Sequence, residues 1–153
     1  MSKKLLTLVL VQQDDRLLLG MKKRGFGTGR WNGFGGKLEE GEDLERAAIR
    51  EAQEEAGITP LDLQEMGVLD FGFLNNPEIL EVHIFKATKF EGGPRETEEM
   101  RPKWFKINEI PYDEMWSDDI HWLPLLLDDK TFNGRFLFDE NDQILSHELE
   151  ENL

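Results

Sequence analysis

The sequence predicts an α/β fold with a mixed sheet between helices, on three observations. Two apolar runs, Leu5 to Val11 and Arg16 to Met21, flank a polar turn at Gln13-Asp14-Asp15 and read as paired central strands. One amphipathic helix follows, bracketed by Asp43 as N-cap and by Gly57 just past its end. Further strand-like runs then surround a second helical segment, so strands and helices interleave along the chain.

The first strand carries one polar residue, Thr7, which at period two shares a face with Leu5, Val9 and Val11. Between Asp15 and Glu39 there is no acid, yet Arg16, Lys22, Lys23, Arg24, Arg30 and Lys37 all lie there, in a chain with 32 Asp and Glu. Gly25, Gly27, Gly29, Gly33, Gly35 and Gly36 fall in the same window. Cations beside backbone N–H groups that glycine leaves accessible suit a polyphosphate; a mobile basic loop is the plainer alternative. Asn32 offers a carbonyl and an amide, enough to read a purine edge, although an isolated Asn is more often a turn former.

The helix between Asp43 and Gly57 has a stripe of Leu44, Ala47, Ala48, Ala52 and Ala56. At 100° per residue Glu51 and Glu55 fall inside that stripe and Glu54 on its border, with Arg46, Arg50 and Gln53 opposite. Like charges at i, i+4 beside the negative end of the helix dipole are destabilising, so stability alone does not select them. A solvated acidic helix end would turn its acids away from the apolar residues. Carboxylates on a partly buried face instead suit a hard divalent cation such as Mg²⁺.

Leu61 to Leu74 and Glu81 to Thr88 read as strands about a turn at Asn75-Asn76-Pro77. Phe71 and Phe73 share a face, as core or as a stacking platform, and His83 is read as structural. The polar loop Phe90 to Arg101 holds Glu96, Glu98 and Glu99, one of which could add a fourth carboxylate. A short strand at Lys103 to Ile107 precedes a helix expected from Ser117, buried along Ile120, Leu123 and Leu127, with Pro124 bending it or delaying its start. Asp118 and Asp119 at that helix start are by default caps; in a pocket walled by aromatics, one of the two should retain its proton. Arg135 to Phe138 and Gln143 to Glu150 form a closing hairpin.

The 153 residues suit one domain spanning 1–153, and a formal charge of −14 disfavours binding to polymeric nucleic acid. With no cysteine there is no disulfide, thiol nucleophile or Cys-based metal site. No apolar run is long enough to span a bilayer and no leader is evident, so a cytoplasmic monomer is expected, with a nuclear or mitochondrial fraction possible.

Gly36, Glu42, Arg50, Glu51, Ala52, Glu54, Glu55, Gly57 and Ile58 stand at the spacing of the Nudix signature, which this stretch resembles; Ala52, smaller than the usual aliphatic, is the one departure. Within that superfamily, GMKKRGFGTGRWNGFGGK, EMRPKWF and MWSDDIHWLPLLL are similar to the animal MutT-homologue branch, which acts on oxidised purine nucleoside triphosphates. The resemblance implies an α/β/α sandwich and Mg²⁺, with Mn²⁺ as substitute, held by the Gly36 carbonyl, Glu51, Glu54, Glu55 and Glu99. It implies that Arg50 orients a glutamate, and that Thr7, Lys22, Asn32, Phe71, Phe73, Leu80, Trp116, Asp118 and Asp119 receive the base. Leu80 replaces a Met associated with that wall, which would alter the ranking among modified purines. The implied reaction is attack of a metal-activated water on a purine nucleoside triphosphate, giving the monophosphate and pyrophosphate. Two other readings stay open at this point: a hydrolase for dinucleoside polyphosphates or nucleoside diphosphate sugars, and a silent nucleotide-binding module of the same fold.

Overall fold

A computed structural model describes residues 2–152. Strands β1 (Lys3–Gln13), β2 (Arg16–Lys22), β3 (Trp31–Asn32) and β4 (Phe34–Lys37) precede helix α1 (Leu44–Ala56). Then follow β5 (Thr59–Pro60), β6 (Gln64–Phe73), β7 (Asn76–Ala87), β8 (Phe90–Glu91), β9 (Met100–Lys106), helix α2 (Asp119–Leu127), β10 (Phe132–Phe138) and β11 (Ile144–Glu151). The main sheet runs β11-β10-β6-β7-β1-β2-β3, with β4 added to β1 and β9 to β2, while β5 and β8 form a separate ribbon. It is mixed: β1 lies parallel to β7, and β10 parallel to β6, whereas the hairpin neighbours are antiparallel.

Alternation along the apolar strands divides the core into two layers. Leu10, Leu17, Leu19, Leu69 and Ile84 pack with Trp122 and Leu123 of α2, and Val9, Val11, Leu18 and Phe85 pack with Ala48, Ala52 and Ala56 of α1. Both faces of β1 and β2 are therefore covered, which is why their sequences read as unbroken apolar runs. The small Ala52 is fully buried among Phe34, Phe85 and Met100 of the same cluster, whose bulk fills the space a larger aliphatic would take.

Helix α1 has the predicted ends. The Asp43 carboxylate accepts from the Arg46 N–H at 2.8 Å, and Gly57, at φ 72°, donates to the Gln53 carbonyl. Four expectations are corrected. Strand β6 starts at Gln64 rather than Leu61, and the turn falls on Leu74-Asn75, because Asn75 takes the left-handed conformation at φ 66° and Asn76-Pro77 already belong to β7. Helix α2 starts at Asp119 rather than Ser117. Its buried stripe is Trp122, Leu123 and Leu126, while Ile120 is 54 % exposed. Pro124 lies inside α2 and removes the bond that would reach the Ile120 carbonyl, at an exposed residue where water can take its place.

One topological detail prepares the site. Strand β1 pairs with β4 from Leu6 to Val9 and with β2 only from Val11 to Gln13, so its partner on that edge changes at Leu10. A cavity lies against the β4-paired part of β1, lined by Leu6, Thr7 and Leu8.

Candidate active site

The cavity measures about 860 Å³. Every residue that the resemblance gave to the base pocket lines it: Thr7, Lys22, Asn32, Phe71, Phe73, Leu80, Trp116, Asp118 and Asp119. Gly36 and Glu55 line the same space, so the acidic end of α1 and the aromatic pocket open onto one volume.

Aromatic rings build one wall. In the parallel β6–β10 register Phe71 lies beside Phe136 and Phe73 beside Phe138. Phe73 stacks on Phe138 at 5.4 Å, and Trp116 meets Phe138 edge-on at 5.6 Å. Phe26 joins from the glycine loop, 5.0 Å from the Trp116 ring. Phe26 and Phe138 were not foreseen. Phe26 is the one large apolar residue among the glycines of its loop, which was a usable signal, whereas Phe138 needed the long-range pairing of β6 with β10.

Asp118 and Asp119 stand at the inner end, 4 % and 2 % exposed. Asp118 is the residue before α2, yet its carboxylate makes no capping bond; it accepts from the indole N–H of Trp122 at 2.7 Å. One carboxylate oxygen of Asp119 is buried with no partner among the described residues. Burial pushes the Asp118 carboxyl up to about 6. Burial, and then the charge of Asp118, push Asp119 well above the carboxylate range. The pair thus holds a proton to higher pH than a free Asp does, in the way two close buried acids must.

Two other pocket residues differ from the expectation. The Asn32 carbonyl accepts from the Gly33 N–H at 2.9 Å, as a turn former does, and the amide nitrogen remains to donate. Thr7 lines the cavity, but it alternates with Val9 and Val11 onto the α1 face, where its buried hydroxyl has no partner among the described residues.

At the other end, Glu55 is 4 % exposed and accepts from the Gly35 N–H at 2.9 Å. Burial and the neighbouring charge of Glu51 push its carboxyl up to about 8. Glu51 lies so close to β4 that a Cβ on Gly36 would come within 2.6 Å of its carboxylate, which would then have to move. Burial also raises the Glu51 carboxyl. Glu54, placed on the border of the stripe, is 56 % exposed. Arg50, placed opposite the acids by the helical wheel, instead curls among them. It donates to Glu42 at 2.7 and 2.9 Å, to Glu51 at 2.9 Å, to Glu54 at 3.4 Å and to the Lys37 carbonyl at 3.1 Å. Its long stem lets the guanidinium leave the face that its Cα occupies.

The cations of the glycine loop are paired too. Lys22 stands 3.7 Å from Glu55 and 3.8 Å from Glu99, Lys23 bonds Glu96 and the Thr97 carbonyl, and Arg24 bonds Glu99. The Arg24 hydrogen bond holds Glu99 below the usual carboxylate range. Accordingly, among the described residues no three acids or histidines stand together at metal-ligand spacing. The donors are nevertheless all hard oxygens; Glu55 is buried and Glu51 part-buried, and each stands beside a cation, Lys22 and Arg50 respectively. A divalent cation replacing those partners suits this donor set.

The comparisons with known proteins agree with this geometry. Residues 3–126 match the NUDIX domain. An oxidized purine nucleoside triphosphate hydrolase of Danio rerio is 54% identical over 98% of this chain and 96% of its own length. The hydrolase of that name from Mus musculus is 53% identical over the same shares. A solved MutT protein from Bacillus halodurans superposes with a TM-score of 0.87 at 28% identity, covering 96% of this chain and 97% of that one. The chain belongs to the Nudix family of hydrolases, which act on small nucleotide substrates with the help of a divalent metal ion.

Proposed function

We propose that this enzyme hydrolyses oxidised purine nucleoside triphosphates, such as 8-oxo-dGTP and 2-oxo-dATP, to the monophosphate and pyrophosphate, and so keeps damaged purines out of DNA. The observation that carries the reading is a single cavity with a buried, proton-holding acid pair beside aromatic rings at one end and the buried Glu55 at the other. The full-length similarity to two animal hydrolases of that printed name supports it.

In this reading the purine ring lies against Phe71, Phe73 and Trp116, whose π faces accept any base. Selection falls to hydrogen bonding. A protonated acid donates and an ionised one accepts, so the pair can present a donor at Asp118 or at Asp119, while Asn32 donates from its amide. Two oxidised bases with different donor and acceptor patterns can then be met by moving one proton. Leu80, opposite Phe71 across β6 and β7, completes the apolar wall.

Glu51, Glu54, Glu55 and Glu99, with the Gly36 carbonyl, would hold Mg²⁺, for which Mn²⁺ could substitute. The metal supplies charge neutralisation of the phosphates and an acidified water. Arg50 keeps Glu51 oriented, and Lys22, between Glu55 and Glu99, is placed to meet the phosphate chain. The protein acts as a monomer on free nucleotides in the cytoplasm, and its formal charge of −14 works against polymeric nucleic acid.

A panel of 8-oxo-dGTP, 2-oxo-dATP, dGTP, a dinucleoside polyphosphate and a nucleoside diphosphate sugar, scored for product with Mg²⁺ and with Mn²⁺, tests the proposal. Highest kcat/KM on the two oxidised nucleotides is the expected result. A preference for plain dGTP or for either of the last two substrates refutes it.

A further inference from the structure

Three distant segments meet on the Trp116 ring. The Arg30 guanidinium carbon stands 4.2 Å from the ring centre, and the same group is 3.2 Å from the Asp142 carboxylate. The Ser117 hydroxyl, next to Trp116, donates to the Asp142 carbonyl at 3.3 Å. Both ends of this bolt are themselves fixed. The Arg30 carbonyl accepts from the Lys22 N–H and its own N–H bonds the Gly27 carbonyl, each at 3.1 Å. Asp142 sits in the left-handed region, φ 60°, within a turn whose Asn141 and Gln143 N–H groups both donate to the Asp139 carboxylate.

Trp116 lines the cavity and Arg30 does not. On its other sides Trp116 has edge contacts only, to Phe73 at 6.3 Å and Phe138 at 5.6 Å, and a tilted contact to Phe26, itself 66 % exposed. The Arg30 guanidinium over this ring is itself anchored by an acid, so it can hold the ring against a fixed support. We propose that Arg30, anchored by Asp142, is a positioning residue: stacked on Trp116, it fixes the width of the slot that receives the purine ring. This deepens the proposed function and depends on it only for the choice of nucleotide. A planar guanidinium serves where an ammonium does not, because only the former stacks and bonds a carboxylate at once.

The test uses the full chain labelled with 5-fluorotryptophan, whose four ¹⁹F resonances are assigned by the loss of one in Trp116→Phe. Arg30→Met keeps the stem and removes the planar cation, Arg30→Lys keeps only the charge, and Asp142→Asn releases the anchor. Spectra are taken in EDTA without nucleotide, and kinetics with Mg²⁺ and 8-oxo-dGTP. In Arg30→Met and Arg30→Lys alike, KM should rise about fivefold with kcat within about twofold. The Trp116 resonance should shift or broaden while those of Trp31, Trp104 and Trp122 hold still. Asp142→Asn should move the same resonance by less, which keeps the question open to measurement should Arg30→Met fail to fold. Unchanged KM and an unchanged Trp116 resonance overturn the assignment, and so does full recovery with Arg30→Lys. A parent enzyme that turns over no oxidised purine overturns the proposed function instead, and the fluorine spectra still decide the role of Arg30.

Discussion

Asp118→Asn should make the protein more stable, and only at high pH. The carboxyl is raised by burial from 3.8 to about 6. A folded-state value above the unfolded one means that the folded protein holds the proton more tightly. Below about pH 4 both states are protonated and nothing is lost; above about pH 6 both are ionised and the full cost of the buried charge is present. A difference of roughly two pKa units corresponds to an order of 3 kcal/mol. Asn has the same shape, and its carbonyl can still accept from the Trp122 indole, which now donates to Asp118 at 2.7 Å. The variant should match the parent near pH 4 and gain about 6–12 °C in Tm at pH 8. Thermal unfolding in EDTA, without nucleotide, at half-unit steps from pH 4 to 8.5 measures this directly. A gain of equal size at every pH, or a loss at pH 8, would show that Asp118 is not the group bearing the charge. The same substitution should depress 8-oxo-dGTP and 2-oxo-dATP hydrolysis unequally, because it fixes one donor where a movable proton stood.

Other consequences follow from the opposite end of the cavity and from the sheet. Glu55→Gln should lower kcat on the order of a hundredfold or more and leave KM within about tenfold, EDTA should abolish parent activity, and Mg²⁺ should restore it; a near-normal kcat would remove Glu55 from the mechanism. Lys22→Ala should raise KM with an effect that shrinks as salt rises, whereas Lys23→Ala, already committed to Glu96 and Thr97, should change KM by less than about twofold; equal effects would mean that the loop acts by charge alone. Burial pulls His83 down, but hydrogen bonds donated to the Glu65 and then the Glu81 carboxylate outweigh it and leave the imidazole raised. That stability is therefore present below about pH 6.5 and lost as pH rises through the raised value, so His83→Gln should cost Tm at pH 6 and little at pH 9; a pH-independent loss would point to packing.

The parts legible in the sequence were those set by local chemistry. Both ends of α1 follow from residues within three positions of the cap, and the two covered faces of β1 and β2 follow from their unbroken apolar runs. The pocket residues came from the family likeness rather than from spacing, since Phe71, Trp116 and Asn32 are brought together only by the order of the sheet. Side-chain pairing was the least visible. Nothing local marks Arg24 for Glu99 or Arg50 for Glu42, 75 and 8 residues apart, and the helical wheel put Arg50 on the wrong side because it follows Cα directions and ignores a stem long enough to turn back. Thr7 fits both readings: period-two counting puts it with Val9 and Val11, and it also lines the cavity.

Both ends of the cavity bury negative charge, and they neutralise it by different means. At the end of α1 each acid faces a cation: Arg50 for Glu51 and Glu54, Lys22 for Glu55, and Lys22 with Arg24 for Glu99. At the start of α2 no cation among the described residues pairs with the two acids; Asp118 accepts from the Trp122 N–H. A side-chain cation can be displaced by a metal without leaving a bare charge, so these acids can exchange one partner for another, while burial raises the Glu51 and Glu55 carboxyls. A lysine beside Asp118 and Asp119 would favour their ionised forms, which only accept. Burial raises both carboxyls, and the proton they keep is a donor for the base. The difference between the two ends lies in their neighbours, because the ionisable groups themselves are all carboxyls.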